Sequence, residues 1–144
     1  GVEKIYYKSG KLLWETPYVG GKQHGIEKSY YSSGKPQRII YYSNGKINGK
    51  HTAYYESGIL QRELVYSNGI IVDGIVKTYY QSGAVLDETP YVNGKKNGIL
   101  KEYYESGKIK KEIDFYDDYA CGQIVEYSEL GKEISHISVS CISK

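Results

Sequence analysis

The chain has 144 residues, enough for one domain, and 18 of them are Tyr against one Phe, one Trp and no Met. Tyr carries a polar tip that favours half-wet places, so this composition argues against one thick apolar core and for a thin structure with much surface. Nineteen Lys and Arg against 17 Asp and Glu leave a formal charge of +2, which offers no basic stripe to nucleic acid, and no apolar run approaches the ~18 residues of a membrane-spanning helix.

From the N-terminus onward the chain repeats itself, and the repeat sets the architecture. "YYKSG" begins at Tyr6, "YYSSG" at Tyr30, "YYESG" at Tyr54, "YYQSG" at Tyr79, "YYESG" at Tyr103 and a degenerate "YSELG" at Tyr127. A second mark follows 11 residues after the glycine of each of the first five blocks: Gly20-Gly21, then Asn-Gly at 44–45, 68–69 and 93–94, then Asp117-Asp118. A third is the series Gly1, Gly25, Gly49, Gly74, Gly98 and Gly122. Six repeats of about 24 residues therefore fill 1–144 as one array, with boundaries near 1–24, 25–48, 49–73, 74–97, 98–121 and 122–144. The one extra residue lies in "IIVDG" (70–74), in a turn, where insertions are tolerated.

Each repeat holds two segments rich in Tyr, Ile, Leu and Val, such as "GILKEYY" (98–104) and "KIKKEIDFY" (108–116). They are bounded by Gly, Asn and Ser and are too short for helices, which is the pattern of hairpins. Ser-Gly and Asn-Gly supply the positive φ of tight turns. Ser-Gly read as a two-residue turn sets Lys4 opposite Glu15, Lys77 opposite Glu88 and Lys101 opposite Glu112. It also sets Tyr7 opposite Leu12, Tyr55 opposite Leu60 and Tyr104 opposite Ile109. Tyr42, Tyr66 and Tyr91 then lie over Gly25, Gly49 and Gly74, an aromatic ring covering a strand glycine. A three-residue bulged turn would shift these pairs.

Side chains alternate along a strand, so each Tyr-Tyr doublet sends one ring to each face. The second tyrosines (Tyr7, Tyr31, Tyr55, Tyr80, Tyr104) fall with Tyr18, Tyr42, Tyr66 and Tyr91 on the better-buried face. The first tyrosines (Tyr6, Tyr30, Tyr54, Tyr79, Tyr103, Tyr127) fall with the Lys–Glu pairs on the wetter one. The fold class expected is all-β: an elongated single antiparallel sheet of stacked β-hairpins, some twelve strands, twisted because a sheet that wide cannot stay flat.

The unit "YYESGK(I/L)xxExxYxNGKxxG" resembles the MORN-variant repeat of bacterial proteins, a relative of the membrane occupation and recognition nexus repeat. The resemblance covers essentially all 144 residues. It departs from the pattern at Asp117-Asp118 and Ser128 in the last repeat, which reads as a terminal cap, and at Pro36 and Ile39 in the second. The resemblance implies stacked hairpins, a non-catalytic scaffold binding another protein, and a relation to bacterial antitoxin or immunity-type proteins.

The first-tyrosine row, Tyr6, Tyr30, Tyr54, Tyr79 and Tyr103, is the candidate binding surface. Its alternatives are sheet packing, or stacking on a cell-envelope glycan or an anionic lipid surface; self-association also fits an open sheet. The turn lysines (Lys22, Lys46 and Lys95; Lys11, Lys35, Lys108 and Lys132) read as solvated charge that blunts sheet edges. Glu15, Glu63, Glu88 and Glu112 recur with the repeat, three of them opposite a lysine, so they read as structural rather than as acid–base pairs. His24, His51 and His136 hold three different repeat positions, which gives no metal cluster and suggests surface placement. No catalytic residue, metal ligand or cofactor motif is expected. Cys121 faces Ser140, one residue from Cys141, so a disulfide needs a bulge or a shifted last strand. If formed, it staples the C-terminal end and argues for export. The first residue is not Met, so the chain reads as a processed piece: exported or in the cell envelope if a leader was removed, cytoplasmic otherwise.

Overall fold

Asn-Gly and its equivalents build the tightest corners. Asn44 and Gly45 hold φ of +50° and +82°, and Asn93 and Gly94 hold +51° and +78°. Two positive values in a row make the type I′ turn, whose twist matches the strands it joins. Asp117 and Asp118 adopt the same geometry, at +52° and +73°. The fifth repeat thus keeps the turn after losing its usual residues. Asp tolerates this region better than most residues, and Asp118 Oδ1 accepts from the Lys96 N–H of the preceding hairpin at 2.8 Å.

The Ser-Gly corners differ from the expected two-residue turn. Gly10 N–H donates to Tyr7 O at 2.9 Å and Tyr7 N–H donates to Lys11 O at 2.8 Å, and the same pair of bonds recurs at Tyr31, Tyr55, Tyr80, Tyr104 and Ser128. Each corner is a three-residue loop closed by a glycine at positive φ. Beside it lies a bulge. Ile5 pairs with Trp14 but Tyr6 with Leu12, leaving Leu13 over. Gln37, Gln61, Leu86, Lys110 and Ile134 are left over in the same way. A bulge sets two residues against one and moves the pairs beyond it. Leu12, Leu60, Val85 and Ile109 therefore stand opposite the first tyrosines Tyr6, Tyr54, Tyr79 and Tyr103, not opposite the second tyrosines.

The computed structural model describes residues 1–141; the last residues of the sixth repeat, 142–144, lie outside the described residues. The described residues form fifteen strands of an open antiparallel sheet, with three short strands off its main path, and contain no helix. Two compact units divide the chain at Ile71/Val72, within the turn that carries the inserted residue. The N-terminal unit orders β1 (Val2–Tyr6), β2 (Leu12–Val19), β4 (Gly25–Tyr30), β5 (Pro36–Ser43), β6 (Lys46–Tyr54) and β7 (Leu60–Ser67), with short β3 (Lys22–Gln23) on β2 and β8 (Ile70–Ile71) on β7. The C-terminal unit orders β9 (Gly74–Tyr79), β10 (Val85–Val92), β12 (Gly98–Tyr103), β13 (Ile109–Tyr116), β14 (Tyr119–Tyr127) and β15 (Glu133–Val139), with β11 (Lys95–Lys96) on β10. The twelve long strands are those expected. The three short ones arise where the chain leaves the ladder just before Gly25, Gly74 and Gly98; at Gly49 and Gly122 the strand runs on unbroken.

The Tyr–Gly register holds, with Gly25 paired to Tyr42, Gly49 to Tyr66 and Gly74 to Tyr91. Its reason is different from ring coverage. Gly25 has φ +114° and Gly98 φ +116°, and a Cβ there would stand 3.0 Å from Pro17 Cγ and 3.1 Å from Pro90 Cγ. The glycine is required by backbone conformation and by the strand before it, and no Tyr42 atom lies within 4 Å of that Cβ position at Gly25.

The core is one residue deep. Ile40, Leu64 and Leu100 are buried, together with Thr16, Glu27 and Thr89. These sit two residues from Tyr18, Tyr42, Tyr66 and Tyr91 or opposite such positions, on the face expected to be better buried. Among the described residues no side chain is completely enclosed, as the tyrosine-rich composition requires.

Candidate binding surface

The second tyrosine of each doublet reaches across a whole repeat. Tyr7 Oη donates to Tyr30 O and Tyr31 Oη to Tyr54 O in the N-terminal unit, both at 2.7 Å. Tyr80 Oη donates to Tyr103 O and Tyr104 Oη to Tyr127 O in the C-terminal unit, again at 2.7 Å. Each bond satisfies a carbonyl at the strand end beside a corner and ties one hairpin to the next. These rings are structural.

The first tyrosine shares its face with the charge pairs. The expected register is present: Lys4 pairs with Glu15, Lys77 with Glu88 and Lys101 with Glu112. Lys77 Nζ lies 2.8 Å from Glu88 and Lys101 Nζ 4.0 Å from Glu112. Glu15 instead meets Lys28 of the other neighbouring strand, at 3.9 Å. Onto these carboxylates the first tyrosines donate: Tyr30 to Glu15 at 3.1 Å, Tyr103 to Glu88 at 2.9 Å and Tyr127 to Glu112 at 3.0 Å. A recurring Lys–Glu–Tyr triad results. Burial, then the Glu88 hydrogen bond and charge, push the Tyr103 phenol up to about 12. Burial first and Glu15 second raise Tyr30. The bonds from Lys77 and Tyr103 hold Glu88 below its ordinary value.

The candidate row therefore divides. Tyr30 and Tyr103 spend their hydroxyls inside the sheet, and Tyr79 is engaged as well. Tyr54 has Ile39 on the neighbouring strand, where a glutamate stands in other repeats. Neither the Tyr54 nor the Tyr6 hydroxyl has a partner among the described residues. Tyr6 is 55% exposed and Tyr54 is half-buried. Around them on the same face of the N-terminal unit, Val2, Ile26, Tyr41 and Val65 are exposed. Ile75 and Ile99 take the corresponding places in the C-terminal unit.

The histidines scatter as their repeat positions imply. His24 and His136 are exposed, and His136 is held by Gln123 at 2.7 Å. His51 is not a surface residue: both its ring nitrogens are buried without a hydrogen-bond partner, and the ring stacks on Tyr66 with centroids 6.3 Å apart. Among the described residues no three His, Cys, Asp or Glu are placed to hold a metal ion. Cys121 and Cys141 are joined by a disulfide, with Cα atoms 4.8 Å apart. Gly122 still pairs with Val139, so the register is the one expected. Cys141 reaches its partner because the chain has left the ladder after Val139.

Hairpins closed by paired turn types, stitched by tyrosine hydroxyls and stacked in chain order define a β-hairpin repeat protein. The chain belongs to the MORN repeat variant family, whose pattern matches residues 1–19, 23–44, 47–68, 72–93 and 96–118. The match ends at the Asp117-Asp118 turn, so the sixth repeat, read above as part of the resemblance, lies beyond it. Repeats of this family generally form scaffolds without catalysis and commonly mediate protein or membrane-lipid contacts. No curated protein matches the chain. Among solved structures, one similar chain belongs to the "GtfA/B complex bound to UDP and GlcNAc"; it is 12% identical over 95% of this chain and 27% of that one, with a TM-score of 0.33. This chain thus spans about a quarter of that one's length, and a likeness at that level carries no argument.

Proposed function

We propose that the chain is a non-catalytic scaffold that binds another protein through its first-tyrosine face, in the manner of an antitoxin or immunity protein. One observation carries the reading. On that face Tyr6 and Tyr54 present hydroxyls with no partner among the described residues, amid exposed Val2, Ile26, Tyr41 and Val65. Tyrosine beside aliphatic side chains is the composition of protein-binding surfaces. The glutamates of the same face are engaged by Lys and Tyr, which supports a structural rather than acid–base role. The antitoxin or immunity type rests on the repeat resemblance, and a toxin gene adjacent to this one would support it. The disulfide favours an oxidising compartment, hence export or the cell envelope.

The exposed aliphatics of this face also favour a second reading, adsorption to a lipid surface. Co-sedimentation with anionic vesicles at low salt separates the two: the protein reading expects the chain in the supernatant. The binding test is affinity capture of a partner, its identification, and reconstitution with purified components. Tyr6→Ser/Tyr54→Ser is expected to weaken the reconstituted complex while the variant stays folded. Unchanged binding would refute the assignment.

A further inference from the structure

One row of the sheet differs between the units. In the C-terminal unit the positions next to the first tyrosines and their partners run Thr78, Asp87, Glu102, Lys111, Glu126, Ser135. Lys111 stands between two carboxylates and meets Glu126 at 2.9 Å. The same row in the N-terminal unit runs Ile5, Trp14, Ser29, Arg38, Ala53, Arg62. Arg38 and Arg62 flank Ala53, which occupies the repeat position that Glu102 and Glu126 hold elsewhere. Both arginines are exposed, and neither has an ion-pair or hydrogen-bond partner among the described residues. Ala53 between them is buried, 4% exposed, and forms a small apolar floor.

Strands lie about 4.8 Å apart, so the two arginine stems rise on either side of Ala53 at roughly 10 Å. Two long guanidinium side chains at that spacing can reach one small acceptor between them, and the guanidinium fork matches a carboxylate in two-point fashion. His51 stands two residues before Ala53 on the same face, level with Ile40 and Leu64. Its ring nitrogens are buried without a hydrogen-bond partner, an unmet need one pleat along the strand from Ala53. Burial, then the charges of Arg62 and Arg38, hold the imidazole below its ordinary value. It is therefore a neutral ring able to donate one N–H.

We propose that Arg38 and Arg62 clamp a carboxylate of an acidic, extended segment of a partner protein, seated over Ala53 beside His51. The partner supplies from outside what Glu126 supplies to Lys111 from within. This site lies on the face opposite the Tyr6–Tyr54 surface and shares with the function proposed above only the class of partner.

The test is an NMR titration of the full chain with a hexaglutamate peptide at low salt, with hexaglutamine, inorganic phosphate and a protein-concentration series as parallel arms. Saturable shifts are expected at the Arg38 and Arg62 side chains and the His51 ring with hexaglutamate and not with hexaglutamine. Arg38→Gln/Arg62→Gln should weaken that binding about tenfold or more. Ala53→Glu should weaken it too, because the added carboxylate fills the clamp in cis. Tyr6→Ser/Tyr54→Ser should leave it unchanged, which keeps failure of this site distinct from failure of the tyrosine surface. Equal hexaglutamate binding by the folded arginine variant would overturn the proposal. So would shifts produced by phosphate and not by peptide, which would mark a free-anion site. Shifts that follow protein concentration alone would also overturn it, because the occupant would be a second copy.

Discussion

Tyr103 and Tyr54 occupy one repeat position and differ in what their hydroxyls meet. Tyr103 donates to Glu88, and its phenol is pushed up to about 12. A Tyr pKa raised by folding stabilises the fold fully below the unfolded value near 10, and that contribution is lost as pH rises through 12. Alkaline spectrophotometric titration should show a phenol ionising near pH 12 that disappears in Tyr103→Phe; loss of a step near pH 10 instead would count against the triad. Glu88 works in the opposite direction: its carboxyl is held low, so its contribution is present above its ordinary value and fades as pH falls below. The second tyrosines carry the longer reach. Tyr31→Phe or Tyr104→Phe removes a bond to a strand-end carbonyl and should cost about 1 kcal/mol. Tyr54→Phe removes a hydroxyl without a partner and should cost close to nothing. Denaturant midpoints of the three variants decide this, and equal losses would contradict the division of the rows.

At the level of the hairpin, two turn types alternate and each imposes its own residues. Asn-Gly and its equivalents adopt positive φ at both positions, while Ser-Gly closes a three-residue loop next to a bulge. Gly98→Ala meets both a positive φ and Pro90 Cγ at 3.1 Å, and should destabilise by about 1–3 kcal/mol. Gly107→Ala meets only the φ of its turn, with nothing within 4 Å, and should cost less; thermal melts of the pair test the ranking. The strands, the turn positions and the Lys–Glu register were readable because they recur every 24 residues and each carries a local chemical signature. The bulge was not. Leu13, Gln37, Gln61, Leu86, Lys110 and Ile134 have no common residue type, so nothing in the letters marks the left-over position. That single residue moved Leu12, Leu60, Val85 and Ile109 to the first tyrosines. His51 was misplaced for a related reason: register sets it between the buried Ile40 and Leu64 of the neighbouring strands. The Arg38–Ala53–Arg62 row appears only once register sets these three side by side.

At the largest scale, within each of the two units each strand packs on its chain neighbours, as in other linear repeat proteins. Interior repeats are held from both sides, and the last hairpin has the Cys121–Cys141 disulfide. Closing a loop of 20 residues by a covalent bond is worth about 3 kcal/mol in the chain-entropy account. Reduction should lower hydrogen-exchange protection in β14 and β15 first. Uniform loss throughout the chain would show that the repeats do not melt locally. The central claim is that hydroxyls tied into the sheet hold it together and those left over bind a partner. The most direct measurement compares Tyr6→Ser/Tyr54→Ser with Tyr30→Ser/Tyr103→Ser, reading both the melting temperature and the affinity for the reconstituted partner. The first pair should keep its melting temperature and lose affinity, and the second should lower its melting temperature. A first pair that stays folded and binds as tightly as the unaltered chain would contradict the account.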